Sequence, residues 1–210
     1  MRADVSALIL AGGKASRLGG VDKRELVVAG KTIFARQCEA LAGSVAEIIV
    51  SAPRDVPGYR TVADAIEGVG PLAGIAAGLA AATTPWLLVV AGDMPYLSSA
   101  LIELLVSATR DSIESPGSAG ARSNAKRCGD EIDAVGIRIA ELPEPLLCVL
   151  HARTRAIVER RIAARRFKAS GLLTDEALRV HWFDESALRA IDPELRALFN
   201  VNRPDDLARE

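Results

Sequence analysis

Hydrophobic positions along the chain fall in short runs separated by helical patterns. Val5–Leu10, Ile48–Val50 and Trp86–Ala91 are apolar with no alternation, the mark of strands buried on both faces. Between them, Thr32–Leu41 sets Ile33, Phe34, Cys38 and Leu41 on one helical face, with Thr32 placed to cap it. Pro71–Ala82 reads as a helix of small residues opened by a proline, and Leu101–Val106 as part of another. This alternation predicts an α/β fold with a mostly parallel sheet and helices on both faces. Farther on, Val135–Ile139, Leu146–His151 and Leu178–Phe183 read as strands. Thr154–Arg166 reads as a helix, and Pro204–Ala208 as a last short one.

One stretch breaks the pattern. Arg110–Glu131 is small, polar and turn-rich, and is expected to be a mobile or disordered loop within a single domain spanning 1–210. Another imitates a membrane span, because the 25 residues between Glu67 and Asp93 carry no charge. Thr83-Thr84-Pro85 divides it, so it predicts a helix and a strand of the core. The N-terminus carries Arg2 and Asp4 ahead of its first apolar run, unlike a signal peptide. Cys38, Cys128 and Cys148 fit no metal or redox spacing and read as reduced thiols. A cytoplasmic location follows as the expectation.

The charges nearly cancel, 26 basic against 27 acidic, which argues against a general nucleic-acid binder. The basic side holds 21 Arg and 5 Lys, and it is unevenly spread: residues 11–31 carry a net +3 and residues 151–168 a net +6. The first of these segments is the most informative. After the strand Val5–Leu10 come Gly12-Gly13 and Gly19-Gly20, with Lys14, Arg17 and Lys23 interleaved. Glycines let backbone N–H groups approach an anion, and Arg and Lys offset its charge. The P-loop and dinucleotide patterns are both absent, since Gly20 stands where a P-loop needs lysine. The second segment, Arg153 to Lys168, reads either as a solvated basic helix or as a partial phosphate contact.

Leu10-Ala-Gly-Gly-Lys-Ala-Ser-Arg-Leu-Gly-Gly-Val-Asp-Lys23 closely resembles the signature of the molybdenum cofactor guanylyltransferases, the molybdopterin-guanine dinucleotide biosynthesis protein A family. The resemblance continues through Gly30-Lys31, Gly70-Pro-Leu-Ala-Gly74, Ala91-Gly-Asp-Met-Pro95 and Asn200-Val-Asn-Arg-Pro-Asp-Asp-Leu207. It implies a Rossmann-like domain of the nucleotide-diphospho-sugar transferase type. It also implies an Mg²⁺-dependent transfer of GMP from GTP to the phosphate of molybdopterin or Mo-molybdopterin, with release of pyrophosphate. Leu10, Ala11, Gly12 and Gly13 would hold the nucleotide, with Lys23 on its phosphates and Arg17 beside them. Ser51 and Asp64 would add nucleotide contacts. Asp93 would bind Mg²⁺, at the strand end where ligands of parallel sheets sit; on its own residues, Asp93 reads equally as the cap of the next helix. Asn200 and Asn202, with Arg165 or Arg166, would face the acceptor.

The implied chemistry needs no general base, because a phosphate monoester with a second pKa of about 6 is already largely dianionic at neutral pH. It needs positioning, a cation and positive side chains. His151 and His181 therefore read as structural. Ser51 stands where the family often has Asn, and Arg203 where Thr is common before the proline. Alternative readings are a cytidylyl- or sugar-phosphate nucleotidyltransferase, or a nucleotide-binding cofactor-delivery protein without turnover. Contacts with a molybdoenzyme or a cofactor chaperone are conceivable partners; nucleic acid and membrane are not expected ones.

Overall fold

The computed structural model describes residues 4–12, 25–63, 69–114, 132–201 and 206, and of 110–114 the backbone alone. Among these residues the main sheet has seven strands. At its centre, β1 (Val5–Leu10) lies between β4 (Glu47–Ser51) and β6 (Trp86–Ala91), parallel to both. β5 (Arg60–Val62) extends the β4 side in parallel. On the other side β8 (Leu142–His151) pairs antiparallel with β6 and with β7 (Ala134–Ile139), and β9 (Val180–Phe183) joins β7 in parallel. The order is β5-β4-β1-β6-β8-β7-β9. A hairpin of β2 (Val27–Val28) and β3 (Lys31–Thr32) leads into α1 (Ile33–Leu41).

Both faces of the central strands are buried, which is why their sequences do not alternate. Val5, Ala7 and Ile9 of β1 and Leu88 and Val90 of β6 pack on one face with α1, α3 (Ser99–Glu114) and α5 (Glu185–Arg189). Leu8, Leu10, Leu87 and Val89 pack on the other, against α2 (Pro71–Ala81) and α4 (Arg155–Ala163). α2 opens at Gly70, whose φ of +72° and ψ of −152° belong to glycine alone. The uncharged run is divided as anticipated between α2 and β6, and no helix among the described residues is long and apolar enough to cross a membrane.

Three readings change. α1 does begin at a capping Thr32, whose Oγ1 accepts from Ala35 N–H at 3.1 Å. Its fully buried positions, however, are centred on Gln37, between Ile33 and Leu41, while Phe34 and Cys38 are only half-buried. α3 runs eight residues past Val106 to Glu114, into the predicted loop. Its apolar stripe continues through buried Ala108 and Thr109, and the Thr109 hydroxyl donates to Val106 C=O at 2.8 Å. The rest of the predicted loop, 115–131, lies outside the described residues, as do Cys128 and most of the predicted helix 204–208. α4 stops at Ala163, three residues short of Arg166. Arg165 adopts φ +56°, and the N–H groups of Arg165 and Arg166 donate to Ile162 and Arg161 C=O at 2.9 Å each. That is the left-handed cap that closes many helices, usually built on glycine.

Candidate active site

The carboxyl ends of β1, β4 and β6 meet in register, Leu10 opposite Ser51 on one side and Ala91 on the other. Ala11 N–H donates to Ser51 C=O at 2.9 Å, and Gly92 N–H to Leu10 C=O at 3.1 Å. A side chain at position 92 would stand 2.6 Å from Leu10 C=O and 3.2 Å from Ala11 Cα, so only glycine lets the two turns close on each other. The result brings Leu10, Ala11, exposed Gly12 and buried Ser51 to one edge with Asp93, the residue after that glycine. This is the edge where parallel sheets present ligand sites.

The capping alternative for Asp93 fails. α3 is capped by Ser98, whose Oγ accepts from Leu101 N–H at 3.3 Å. Asp93 instead occupies a turn that is pinned from two directions. Its backbone C=O accepts from Val201 N–H at 2.8 Å, which returns the C-terminal segment to the site. From beneath, the wholly buried Gln37 donates Nε2–H to Ala91 C=O at 2.7 Å and to Met94 C=O at 3.2 Å, bracketing Gly92-Asp93. Gln37 Oε1 is buried with no partner. The reversed amide would set that oxygen against two carbonyls, so the donor assignment follows from chemistry. Arg36, one residue back, donates Nε–H to Pro95 C=O at 2.7 Å. Sequence reasoning missed Gln37, although a polar residue four positions from both Ile33 and Leu41 on one helical face was the available signal.

Beside Asp93 stands a residue the sequence did not single out. Glu144, near the start of the antiparallel β8, is half-buried; burial pushes its carboxyl up, a Leu146 N–H bond opposes this, and the Asp93 charge adds to the rise. Glu144 also lines a cleft of about 530 Å³, with Tyr96, Ile139, Glu194, Leu195, Arg196, Leu198 and Phe199. The Arg196 guanidinium lies over the Tyr96 ring at 4.6 Å, and the Tyr96 and Phe199 ring centroids are 6.0 Å apart. Leu195 holds φ +54°, an uncommon conformation for a bulky residue.

Of the other anticipated residues, Gly13, Arg17, Lys23, Asp64 and Asn202 lie outside the described residues. Asn200 is half-buried one residue from Val201, and its Nδ2–H donates to Leu198 C=O at 3.3 Å. The basic stretch divides. Arg153 bonds Asp133 at 2.6 Å, Arg155 bonds Glu159 at 2.7 Å, and Arg161, itself buried, bonds Asp175 at 3.0 Å. Arg165, Arg166 and Lys168 are exposed, and Arg165 and Arg166 do not line the cleft. His151 sits at the opposite end of the sheet, paired with Trp86; its Nδ1 accepts from Arg153 N–H at 3.2 Å, which fits a structural role.

Comparison with known proteins places this arrangement. Residues 7–177 match the model of the MobA-like NTP transferase domain. A probable molybdenum cofactor guanylyltransferase of Methanosarcina acetivorans is 32% identical over 96% of this chain and 88% of its own length. The molybdenum cofactor guanylyltransferase of Desulfosudis oleivorans is 28% identical, over 98% and 93%. The crystal structure of molybdopterin-guanine dinucleotide biosynthesis protein A from Archaeoglobus fulgidus superposes with a TM-score of 0.73 at 26% identity, covering 97% of this chain and 95% of that one. The fold alone is also shared with a 2-C-methyl-D-erythritol 4-phosphate cytidylyltransferase of Thermus thermophilus, at a TM-score of 0.60, 19% identity, and 98% and 96% coverage.

Proposed function

Because the chain belongs to the MobA-like NTP transferase family, we propose that it transfers GMP from GTP to the phosphate of molybdopterin, releasing pyrophosphate and forming the guanine dinucleotide cofactor. The observation that carries this reading is the closure of the Gly92-Asp93 turn on Leu10-Ala11, which brings Asp93 to the glycine-flanked end of β1 in a chain whose relatives bear that name. In the transfer, an oxygen of the acceptor phosphate forms a bond to the α-phosphorus of GTP. The bond from that phosphorus to the bridging oxygen breaks, and pyrophosphate leaves with the electron pair. No side chain has to remove a proton from a dianionic phosphate.

The chain's contribution is then positional and electrostatic. Backbone N–H groups of the loop opened by Ala11-Gly12-Gly13 bind the triphosphate, and Lys23 and Arg17 reduce the repulsion between two anions. Ser51 and Asp64 complete the nucleotide side, and Asn200 and Asn202 serve the acceptor; Arg165 and Arg166, exposed beyond the end of α4 and away from the cleft, take no part in this reading. Asp93, a hard oxygen donor on a fixed turn, would hold Mg²⁺ together with waters and substrate phosphates. When bound, Mg²⁺ supplies charge neutralisation to the triphosphate.

The test is pyrophosphate release by the purified protein with GTP, Mg²⁺ and molybdopterin. Asp93→Asn is expected to lower turnover by at least about 100-fold, the scale of losing one electrostatic stabiliser, while Tm changes little. A wild-type protein that binds GTP and releases no pyrophosphate would instead be a delivery protein.

A further inference from the structure

Two adjacent residues of α1 reach the turn that holds Asp93. Gln37 brackets Gly92-Asp93 from beneath. Arg36 joins that turn to a second segment: its Nε–H donates to Pro95 C=O at 2.7 Å and its Nη1–H to Val28 C=O of the β2–β3 hairpin at 3.5 Å. The same guanidinium lies 5.7 Å from the centroid of the Tyr96 ring. Arg60, Arg153, Arg161 and Arg179 each pair with a carboxylate. Arg36 has no carboxylate partner among the described residues and directs its fork at neutral carbonyls. A guanidinium so placed contributes geometry rather than charge balance, because its donors lie in one rigid plane.

What the fork joins follows from the sequence. The hairpin closely follows the glycine-rich segment that ends at Lys23, and the turn carries Asp93. In the proposed transfer the first holds the triphosphate and the second its cation, so their spacing has to match one ligand. Between hairpin and turn, Leu26, Val28, Ile33, Tyr96, Phe199 and Val201 form only a small apolar cluster. Such packing is non-directional and leaves register loose, whereas hydrogen bonds from one plane fix it. α1 is the rigid body to which both segments are tied. It starts at Ile33 directly after β3, is capped by Thr32, and its Ile33 N–H donates to Leu26 C=O at 2.9 Å. Resting on the transfer proposed above, we infer that Arg36 is a positioning residue that couples the hairpin following Lys23 to the Asp93 turn, so that GTP and Mg²⁺ are held as one unit. A fixed spacing lets each ligand strengthen the other's binding; a loose one leaves both grips intact and loses the coupling.

Calorimetric titration of GTP into the wild type, Arg36→Met and Arg36→Lys, in EDTA and in excess Mg²⁺, separates the grips from their coupling. In EDTA all three proteins are expected to bind GTP within about twofold of one another, while the tightening by Mg²⁺ seen in the wild type shrinks at least about fivefold in Arg36→Met. Arg36→Lys keeps the charge and the stem but not the fork, and should lose the tightening as Arg36→Met does. The Mg²⁺ concentration for half-maximal pyrophosphate release should rise in both variants. Full Mg²⁺ tightening in Arg36→Met overturns the inference. So does tightening restored by lysine, which makes the charge and not the fork the active feature. Equal weakening of GTP in EDTA and in Mg²⁺ overturns it too, as the mark of a merely structural role. Should Arg36→Met fail to fold, Arg36→Lys decides in the same titrations. A wild type that binds GTP more tightly with Mg²⁺ yet releases no pyrophosphate overturns the transfer reading instead, and the titrations still decide the role of Arg36.

Discussion

Replacing Gln37 by methionine keeps the shape of a wholly buried side chain and removes its amide. Two carbonyls, those of Ala91 and Met94, lose the donors now at 2.7 and 3.2 Å. Leaving each buried carbonyl unsatisfied costs about 1–3 kcal/mol, but deleting Oε1, which has no partner, recovers a cost of the same kind. The net loss is therefore about 1–3 kcal/mol, equivalent to a fall in Tm of roughly 3–10 °C for a domain of this size. Catalysis should suffer more than stability. The two bonds bracket Gly92-Asp93, and a displacement of about 1 Å at a reacting site costs on the order of 100-fold. Thermal unfolding followed by circular dichroism gives the first quantity, and kcat for pyrophosphate release gives the second. A Gln37→Met protein with the expected drop in Tm but kcat within twofold of wild type would refute the positioning role. One with unchanged Tm would refute the hydrogen-bond assignment itself.

Gly92→Ala puts a methyl group 2.6 Å from a backbone carbonyl that cannot rotate away, so the Asp93 turn must separate from Leu10. A destabilisation of about 1–3 kcal/mol and a loss of turnover larger than that of Gln37→Met are expected, checked by denaturant titration and the same assay. Burial pushes the Asp133 carboxyl up, but bonds from the Arg179 N–H and the Arg153 and Arg179 guanidinium groups outweigh it and hold it below the usual carboxylate range. Its contribution to stability is thus present above the unfolded value of about pH 3.9 and lost as pH falls below it, through the lowered native value. Tm measured from pH 7 to pH 3 should show Asp133→Asn less stable at neutral pH, with the gap closing below about pH 4. Burial also pushes the Cys148 thiol up to about 12, so mass-spectrometric mapping after iodoacetamide treatment at pH 8 should find Cys148 unlabelled until the protein unfolds.

The central architecture was legible because two-faced burial writes itself into continuous apolar runs such as Val5–Leu10 and Trp86–Ala91. Elements too short to carry a period were not: β5, the β2–β3 hairpin and α5 have two to five residues each. Asp93 was singled out through the family resemblance, because on its own residues a carboxylate after an apolar strand reads equally as the cap of the next helix. Glu144 was not, since its approach to Asp93 depends on β8 running against β6, and strand direction leaves no trace in local pattern. Arg161 reads as one more surface charge in a basic helix. Only the fold shows it buried, beside Gly171, where a Cβ would stand 2.4 Å from its Nη2. The helix end at Ala163 escaped notice because an arginine occupies the left-handed position that glycine usually announces.

The most direct measurement is a product analysis by phosphorus-31 NMR and mass spectrometry, with the purified protein given molybdopterin, Mg²⁺ and an equimolar mixture of GTP and CTP. One pyrophosphate for each guanine dinucleotide formed, and little cytosine product, is the expected result. Predominant cytosine dinucleotide, or GMP without a dinucleotide, would contradict it.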